Sequence, residues 1–380
     1  MTDSPAVTPP TPQPTATRDG VPVAPLAGGF LPPYAERVHL IADFPAPRAE
    51  DLAAADPQAA AGAPFAGEAL AAMEAWEAPF GEPEPTHAVV EDRKLPGPHG
   101  PIPVRVYRPE PGWNPPTPSP ATESGLHAGL VWYHGGAFLG GDLDMPEADA
   151  VARGLATRTG ACVVSVFYRL CTGGIHYPIP HDDAYAAYRW VREHASELGI
   201  DAARIAVGGA SAGGNLAAGV TLHGIDEAAD PWQALLAYPV AHGGRWPAPS
   251  PELAARLGQM PQILRFPADM TAAMNANYLG APVPTGTAVD DAAAIPAYAF
   301  PGDVPEASRL AGWPATYIEN CENDDLRASG EAFARQLRQA GADVEVLTCA
   351  GVPHGHLNAV GSPLTAASLD RFAARLARIA

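Results

Sequence analysis

The run Arg204–Leu216, RIAVGGASAGGNL, constrains this chain more than any other segment. Ile205, Ala206 and Val207 read as a buried strand. The strand enters a glycine cluster centred on Ser211, and small residues (Asn215, Leu216, Ala217, Ala218) continue as a helix. Gly209-Ala210-Ser211-Ala212-Gly213 fits the spacing G-x-S-x-G. The reason for that spacing is steric. A turn tight enough to thrust one side chain out between a strand and a helix crowds the residues two places to either side, and glycine removes the Cβ that would clash. Chains rich in Ala and Gly also produce the pattern by chance, so its meaning rests on what accompanies it.

Three further loops accompany it. Val131-Trp132-Tyr133 reads as a strand ending in His134-Gly135-Gly136-Ala137-Phe138. Such a turn can leave backbone N–H groups pointing into a cavity, where they stabilise a developing oxyanion; taken alone it is a plain glycine turn. Ala315–Cys321 reads as a strand followed by Glu322, Asn323, Asp324 and Asp325, a cluster that by itself suits a solvated loop with a helix N-cap. Val344–Thr348 reads as a strand leading to Gly351-Val352-Pro353-His354-Gly355-His356. A lone loop histidine carries no chemistry, but Ser211, Asp324 and His354 each follow a strand and occur in the chain order Ser, Asp, His that a strand–turn–helix serine hydrolase requires.

With these motifs the chain resembles the hormone-sensitive-lipase-like branch of the α/β-hydrolases, which contains many bacterial carboxylesterases. The resemblance runs from about Val89 to the C-terminus. It rests on HGGAF (His134–Phe138), YRL (Tyr168–Leu170), DDAYAAYRWV (Asp182–Val191), GGASAGGNL (Gly208–Leu216), DDLRASGEAF (Asp324–Phe333) and PHGHL (Pro353–Leu357). It implies an α/β-hydrolase fold: a mostly parallel central sheet with helices on both faces and a helical cap. It further implies Ser211 as nucleophile, His354 as general base and Asp324 as the acid that orients it, with adjacent Asp325 the alternative. The implied oxyanion hole is Gly136, Ala137 and Ala212, with Gly135 shaping the turn and His134 bracing it. Three departures stand out. Ala137 replaces the third glycine, adding a Cβ that narrows the acyl side and restricts φ. Ala210 precedes the serine where the family often has an acid or Thr. Asp325 stands where the family has proline.

Organisation and composition are consistent with this expectation. Residues 1–33, rich in Pro, Thr and Ala, read as disordered. Residues 34–87 hold alanine-rich helical pieces (Arg48–Ala55, Gly67–Trp76) expected to form an N-terminal cap. Residues 88–380 form the catalytic domain, in which alternating strand and helix signals imply a parallel sheet covered on both faces. The alternation breaks at about 241–312, a Pro-, Gly- and Met-rich stretch expected to supply the second half of the cap. The net charge is −19 and no Lys/Arg run suits phosphate neutralisation, so nucleic acid is not an expected partner. Cys162, Cys171, Cys321 and Cys349 lack paired spacing and read as reduced thiols. No segment suits a secretory signal or a bilayer span, so a cytoplasmic protein without a membrane partner is expected. No cofactor or metal is expected either. The glycine cluster lacks the Lys-Ser/Thr pair of a P-loop and the phasing of a dinucleotide fingerprint. His354 and His356 at i, i+2 have no recognisable further ligands. His176, His181 and His242 read as surface or structural.

The expected function is hydrolysis of small, short-chain carboxylic esters through an acyl-enzyme. Other acyl transfers by the same groups (amide, carbonate or lactone hydrolysis, or acyltransfer) remain alternatives, as does non-catalytic binding of a small ligand. Phe138 and Leu139, just after the HGGA turn, are expected to shape the site. Phe266, Met270 and Met274 are candidate pocket walls, alongside Met260, Ile263, Leu264 and Tyr278, all of which would equally serve only to hold the cap together. The resemblance makes a homodimer through the sheet edge or the C-terminal helix an expectation.

Overall fold

The computed structural model of the chain describes residues 29–48, 50, 67–283 and 295–378, together with a short backbone pairing of Thr17–Arg18 with Val21–Pro22. The expected disordered segment and most of Arg48–Ala55 lie outside the described residues.

Eight strands form one sheet: β1 (Ala88–Leu95), β2 (Ile102–Pro109), β3 (His127–Tyr133), β4 (Cys162–Val166), β5 (Ile200–Ala210), β6 (Gln233–Ala237), β7 (Ala315–Asn323) and β8 (Val344–Pro353). Their order is β1-β2-β4-β3-β5-β6-β7-β8. The β1–β2 and β2–β4 pairings are antiparallel; every other pairing is parallel. Most of β3, all of β4 and β6, and β5 from Arg204 onward are buried, with apolar side chains pointing to both faces. Along β3, Val131 and Tyr133 join Val164, Val166 and Val207 in one core cluster. The intervening Leu130 and Trp132 join Val163, Ala206 and Leu235 in the other. This two-residue alternation into two separate cores is what a sheet sandwiched between helix layers requires.

The helices are α1 (Tyr34–Arg37), α2 (Glu68–Glu77), α3 (Pro146–Thr159), α4 (Ile179–Glu193), α5 (Ala212–Asp226), α6 (Pro251–Leu257), α7 (Ala268–Leu279), α8 (Arg327–Gln339) and α9 (Pro363–Leu376). Tyr188 of α4, Leu216 and Val220 of α5, and Phe333 and Leu337 of α8 cover one face. Val151 and Leu155 of α3 and Leu369 and Phe372 of α9 cover the other. The elements α1 and α2 are strapped to the carboxyl ends of the strands. The Arg37 guanidinium donates to the carbonyls of Trp76 (3.0 Å) and Pro79 (2.8 Å), and the Phe80 N–H donates to the Val360 carbonyl at 2.8 Å.

One close approach fixes how the carboxyl ends come together. A Cβ on Gly213, in the first turn of α5, would lie 2.0 Å from the Tyr133 carbonyl oxygen and 2.4 Å from that of His134. No side chain fits there, so the glycine allows α5 to start directly against the end of β3. Gly213→Ala is therefore expected to lower unfolding free energy by about 3 kcal/mol, through overpacking against backbone that cannot retreat. Urea denaturation checks this, and an unchanged midpoint would contradict the close approach.

Candidate active site

Ser211 sits between β5 and α5 with φ +55° and ψ −118°. This is a conformation non-glycine residues rarely adopt. Its N–H donates to the Ala237 carbonyl (2.9 Å) and its own carbonyl accepts from Asn215 N–H (3.1 Å), so both backbone groups are satisfied in the strained turn. The hydroxyl lies 2.9 Å from His354 Nε2, and His354 Nδ1 lies 2.8 Å from Asp324 Oδ2. The other oxygen of Asp324, Oδ1, accepts the Leu326 N–H at 2.9 Å, and the residue is 1% exposed. Three loops following β5, β7 and β8 thus bring an alcohol, an imidazole and a carboxylate into one hydrogen-bonded line. Burial alone would pull the His354 pKa down; the charge and hydrogen bond of Asp324 more than offset this and hold it above 6.5.

The adjacent acids do different work. Asp325 accepts two bonds from the Arg265 guanidinium at 2.8 Å each and a third from the Phe266 N–H at 2.9 Å. The hydrogen-bond partners of the His354 ring are Asp324 and Ser211, not Asp325. Asp325 ties the 241–312 insertion to the loop bearing Asp324 and sets the Phe266 ring edge-on to His354, centroids 5.0 Å apart.

The His134–Phe138 turn lies against the serine: a Cβ on Gly135 would sit 3.2 Å from Ser211 Cβ and 2.4 Å from Glu147 Oε1. The structure commits the Gly135 N–H to Glu147 Oε1 at 2.6 Å, so this residue shapes the turn and has no donor left for a substrate. The N–H groups of Gly136, Ala137 and Ala212 have no acceptor among the described residues. Ala137 and Phe138 follow with φ +54° and +62°. A Cβ in this region costs about 1–2 kcal/mol per residue. The Phe138 ring repays part of it by stacking on Tyr278, centroids 3.8 Å apart. His134 is buried, bonds the Gly135 carbonyl through Nδ1 (2.7 Å) and stacks on Tyr168; burial lowers its pKa to about 4.

Above Ser211 opens a cavity of about 360 Å³. Phe138, Leu139, Phe266, Met270 and Met274 all line it. So do Ile263 and Leu264, whereas Met260 is buried in the core and Tyr278 backs Phe138 from behind. Tyr34, Met73, Trp76 and Phe80 from the 34–87 segment complete its roof.

The His354-Gly355-His356 pair does not converge on one point. His356 turns into a buried network, its Nδ1 3.2 Å from Cys321 Sγ and its Nε2 2.8 Å from Ser368 Oγ. Glu319, Cys349 and His356 have ligand atoms within 4.8 Å of one another. The Arg371 guanidinium, however, already binds Glu319 (2.8 and 3.1 Å) and Cys349 (3.0 Å), placing a positive charge where a cation would have to sit. The four cysteines are free and buried. His181 and His242 are buried, and His176 bonds the Asn277 carbonyl.

Two residues beside the site, Glu147 and Tyr238, whose hydroxyl donates to Glu147 Oε2 at 2.6 Å and whose ring lies 4.9 Å from that of His354, belong to none of the sequence motifs. Their signal was present in part: Glu147 falls on the same helical stripe as Val151 and Leu155, an acid in the buried phase of α3.

Comparison with known proteins agrees with this architecture. A family model described as alpha/beta hydrolase fold matches residues 130–358. Carboxylesterase NlhH of Mycobacterium tuberculosis is 37% identical over 279 residues, covering 73% of this chain and 78% of the relative. Ethyl acetate hydrolase of Pseudomonas putida is 32% identical over 262 residues, covering 67% and 70%. The solved structure of a hyperthermophilic esterase from the archaeon Pyrobaculum calidifontis superposes with a TM-score of 0.64 at 32% identity, covering 77% of this chain and 86% of that one. The fold and the sheet order make the class an α/β-hydrolase. Within that class, the chain belongs to the hormone-sensitive-lipase-like family. Among the described residues no helix is long and apolar enough to cross a membrane.

The electrostatics of the line can be measured directly. By NMR the His354 imidazole is expected to titrate above 6.5, and at a lower pH in Asp324→Asn than in the wild type, because the main opposition to burial is then gone. A pKa that does not move would contradict the pairing.

Proposed function

We propose that this chain is a serine carboxylesterase acting on small, short-chain carboxylic esters through an acyl-enzyme intermediate. The observation that carries the reading is the Ser211–His354–Asp324 line beneath a mostly apolar cavity. Esterase names on relatives at 32–37% identity support it.

In the proposed mechanism His354 Nε2 takes the Ser211 proton as Oγ attacks the ester carbonyl. Asp324 keeps the imidazole in the Nδ1–H tautomer and stabilises its cationic form. The free N–H groups of Gly136, Ala137 and Ala212 receive the oxyanion, which is often the largest single contribution to such catalysis. His354 then returns the proton to the departing alcohol, leaving the acyl group on Oγ. Water, activated by the same imidazole, releases the carboxylic acid. The size of the cavity supports a small substrate: about 360 Å³ lies near the lower end of small-molecule sites. The aromatic and methionine walls favour an apolar acyl or alkoxy group. In this reading α1, α2 and the 241–312 insertion act together as a cap.

Against a p-nitrophenyl acetate, butyrate and octanoate series, Ser211→Ala is expected to lose about 10⁴-fold or more in kcat. Asp324→Asn should lose about 10³- to 10⁴-fold, while Asp325→Asn should stay within about tenfold, since that group positions Phe266 and Arg265 rather than the base. Undiminished ester hydrolysis by Ser211→Ala would overturn the reading. So would a larger loss in Asp325→Asn than in Asp324→Asn, for the choice of acid. Because His354 must be neutral to act, the rate falls as pH drops through its pKa. The Asp324 pairing places that midpoint above 6.5.

A further inference from the structure

Glu147 is 1% exposed, and among the described residues no Lys or Arg pairs with it. Both its oxygens accept hydrogen bonds: Oε1 from the Gly135 N–H (2.6 Å), Oε2 from the Tyr238 hydroxyl (2.6 Å) and from Asn358 Nδ2 (3.5 Å). Its own N–H donates to Asn358 Oδ1 at 3.0 Å, and Asn358 Nδ2 also reaches the Gly355 carbonyl, one residue beyond His354. One side chain thereby joins three loops: the HGGA turn, the segment after β6 and the histidine loop. A buried carboxylate without a cation is a net cost to folding unless its donors are well placed. An apolar residue on the 147–151–155 stripe would pack there without that cost.

We infer that Glu147 is a positioning residue, fixing the oxyanion-binding turn through Gly135 and presenting a second carboxylate charge to His354. The inference rests on the serine-esterase reading above. Its geometric part is direct. The Gly135 N–H is anchored to Glu147, so the next two peptides, those of Gly136 and Ala137, are held with their donors free. Ser211 lies against the same turn, as the 3.2 Å approach at Gly135 shows. The electrostatic part follows from the surroundings of His354. Asp324 and, farther off, Asp325 face it from the β7–α8 loop, Ser211 from the β5–α5 turn, and Glu147 from α3. The Tyr238 ring stands edge-on at 4.9 Å and the Phe266 ring at 5.0 Å. When His354 gains the serine proton, Glu147 adds an attraction to that of Asp324. Burial pushes the Glu147 carboxyl above the usual carboxylate range, and the Tyr238 and Gly135 donors offset this only in part.

Glu147→Gln keeps the shape and an acceptor for Gly135 but removes the charge. With p-nitrophenyl butyrate, kcat is expected to fall about tenfold with KM within about twofold, the pattern of a group that acts in the transition state. The acid limb of the rate profile should move to lower pH, since one negative charge facing the imidazolium is gone. Tyr238→Phe keeps the Glu147 side chain and the ring but removes a donor. Its kcat should fall several-fold, and its acid limb should move no higher than the wild-type pH, since losing that donor disfavours the ionised carboxyl. Circular dichroism and thermal melting establish that each variant is folded. A folded Glu147→Gln with wild-type kcat, or with an unmoved acid limb, overturns the inference. If that variant does not fold, wild-type kcat in Tyr238→Phe overturns it. Ser211→Ala run in parallel separates the two levels. An inactive Ser211→Ala beside an unaffected Glu147→Gln sinks only the role of Glu147, whereas an active Ser211→Ala sinks the esterase reading itself.

Discussion

The site depends first on the strained turn at Ser211. A serine at φ +55° and ψ −118° costs about 1–3 kcal/mol and persists only where its surroundings leave no alternative. Here the surroundings are backbone. The Ser211 N–H is held by the end of β6, its carbonyl caps the first turn of α5, and Gly213 lets the carbonyls of Tyr133 and His134 press against that turn. The same approach that forces the serine outward also brings the HGGA turn beside it. The serine hydroxyl and the free N–H groups of the turn are therefore one packing solution rather than two separately placed features.

The second constraint is the distribution of buried charge. Asp324 and Asp325 are neighbours, yet their burial partners divide them completely. Among the described residues the Asp324 carboxylate bonds only the Leu326 N–H and the imidazole, whereas Asp325 is held by a guanidinium and a backbone N–H of the insertion. Behind them, Glu319 is held well below the usual carboxylate range: its burial pushes the other way, but the bonds from His356 and Arg371 win. Each buried acid in this half of the sheet is matched by specific donors, as low-dielectric surroundings demand. The pattern also explains why His356, two residues from His354, has a different environment and turns to the core.

Much of this was readable from the sequence because each motif has a local steric or periodic cause. The runs ending at Tyr133 and Ala210 are apolar on both faces over their last residues, which marks buried parallel strands, whereas the strand ending at Asn323 mixes Tyr317, Ile318 and Cys321 with polar residues and leads into an acidic loop. The helical piece Asp269–Leu279 lies within α7, and Val344–Thr348 begins β8, which runs on to Pro353. What was not legible arises from contacts between distant segments. Nothing near Asp325 in sequence announces Arg265, and nothing near Gly135 announces that its N–H is taken by a side chain twelve places on. Glu147 reads as an ordinary acid in a first helical turn, where acids are favoured at the surface; only the phase of Val151 and Leu155 hints that it points inward. The walls of the cavity were partly legible: Phe266, Met270 and Met274 line it, but the roof from Tyr34, Met73 and Trp76 could not be aligned with Ser211 without the fold.

The central claim is that Ser211 Oγ is the atom that becomes acylated. Stoichiometric labelling with a p-nitrophenyl phosphonate, followed by peptide mass spectrometry, tests it most directly. The account predicts one label per chain, on the peptide containing Ser211, with ester hydrolysis lost in proportion. Labelling on another residue, or full hydrolysis by a chain already labelled at Ser211, would contradict it.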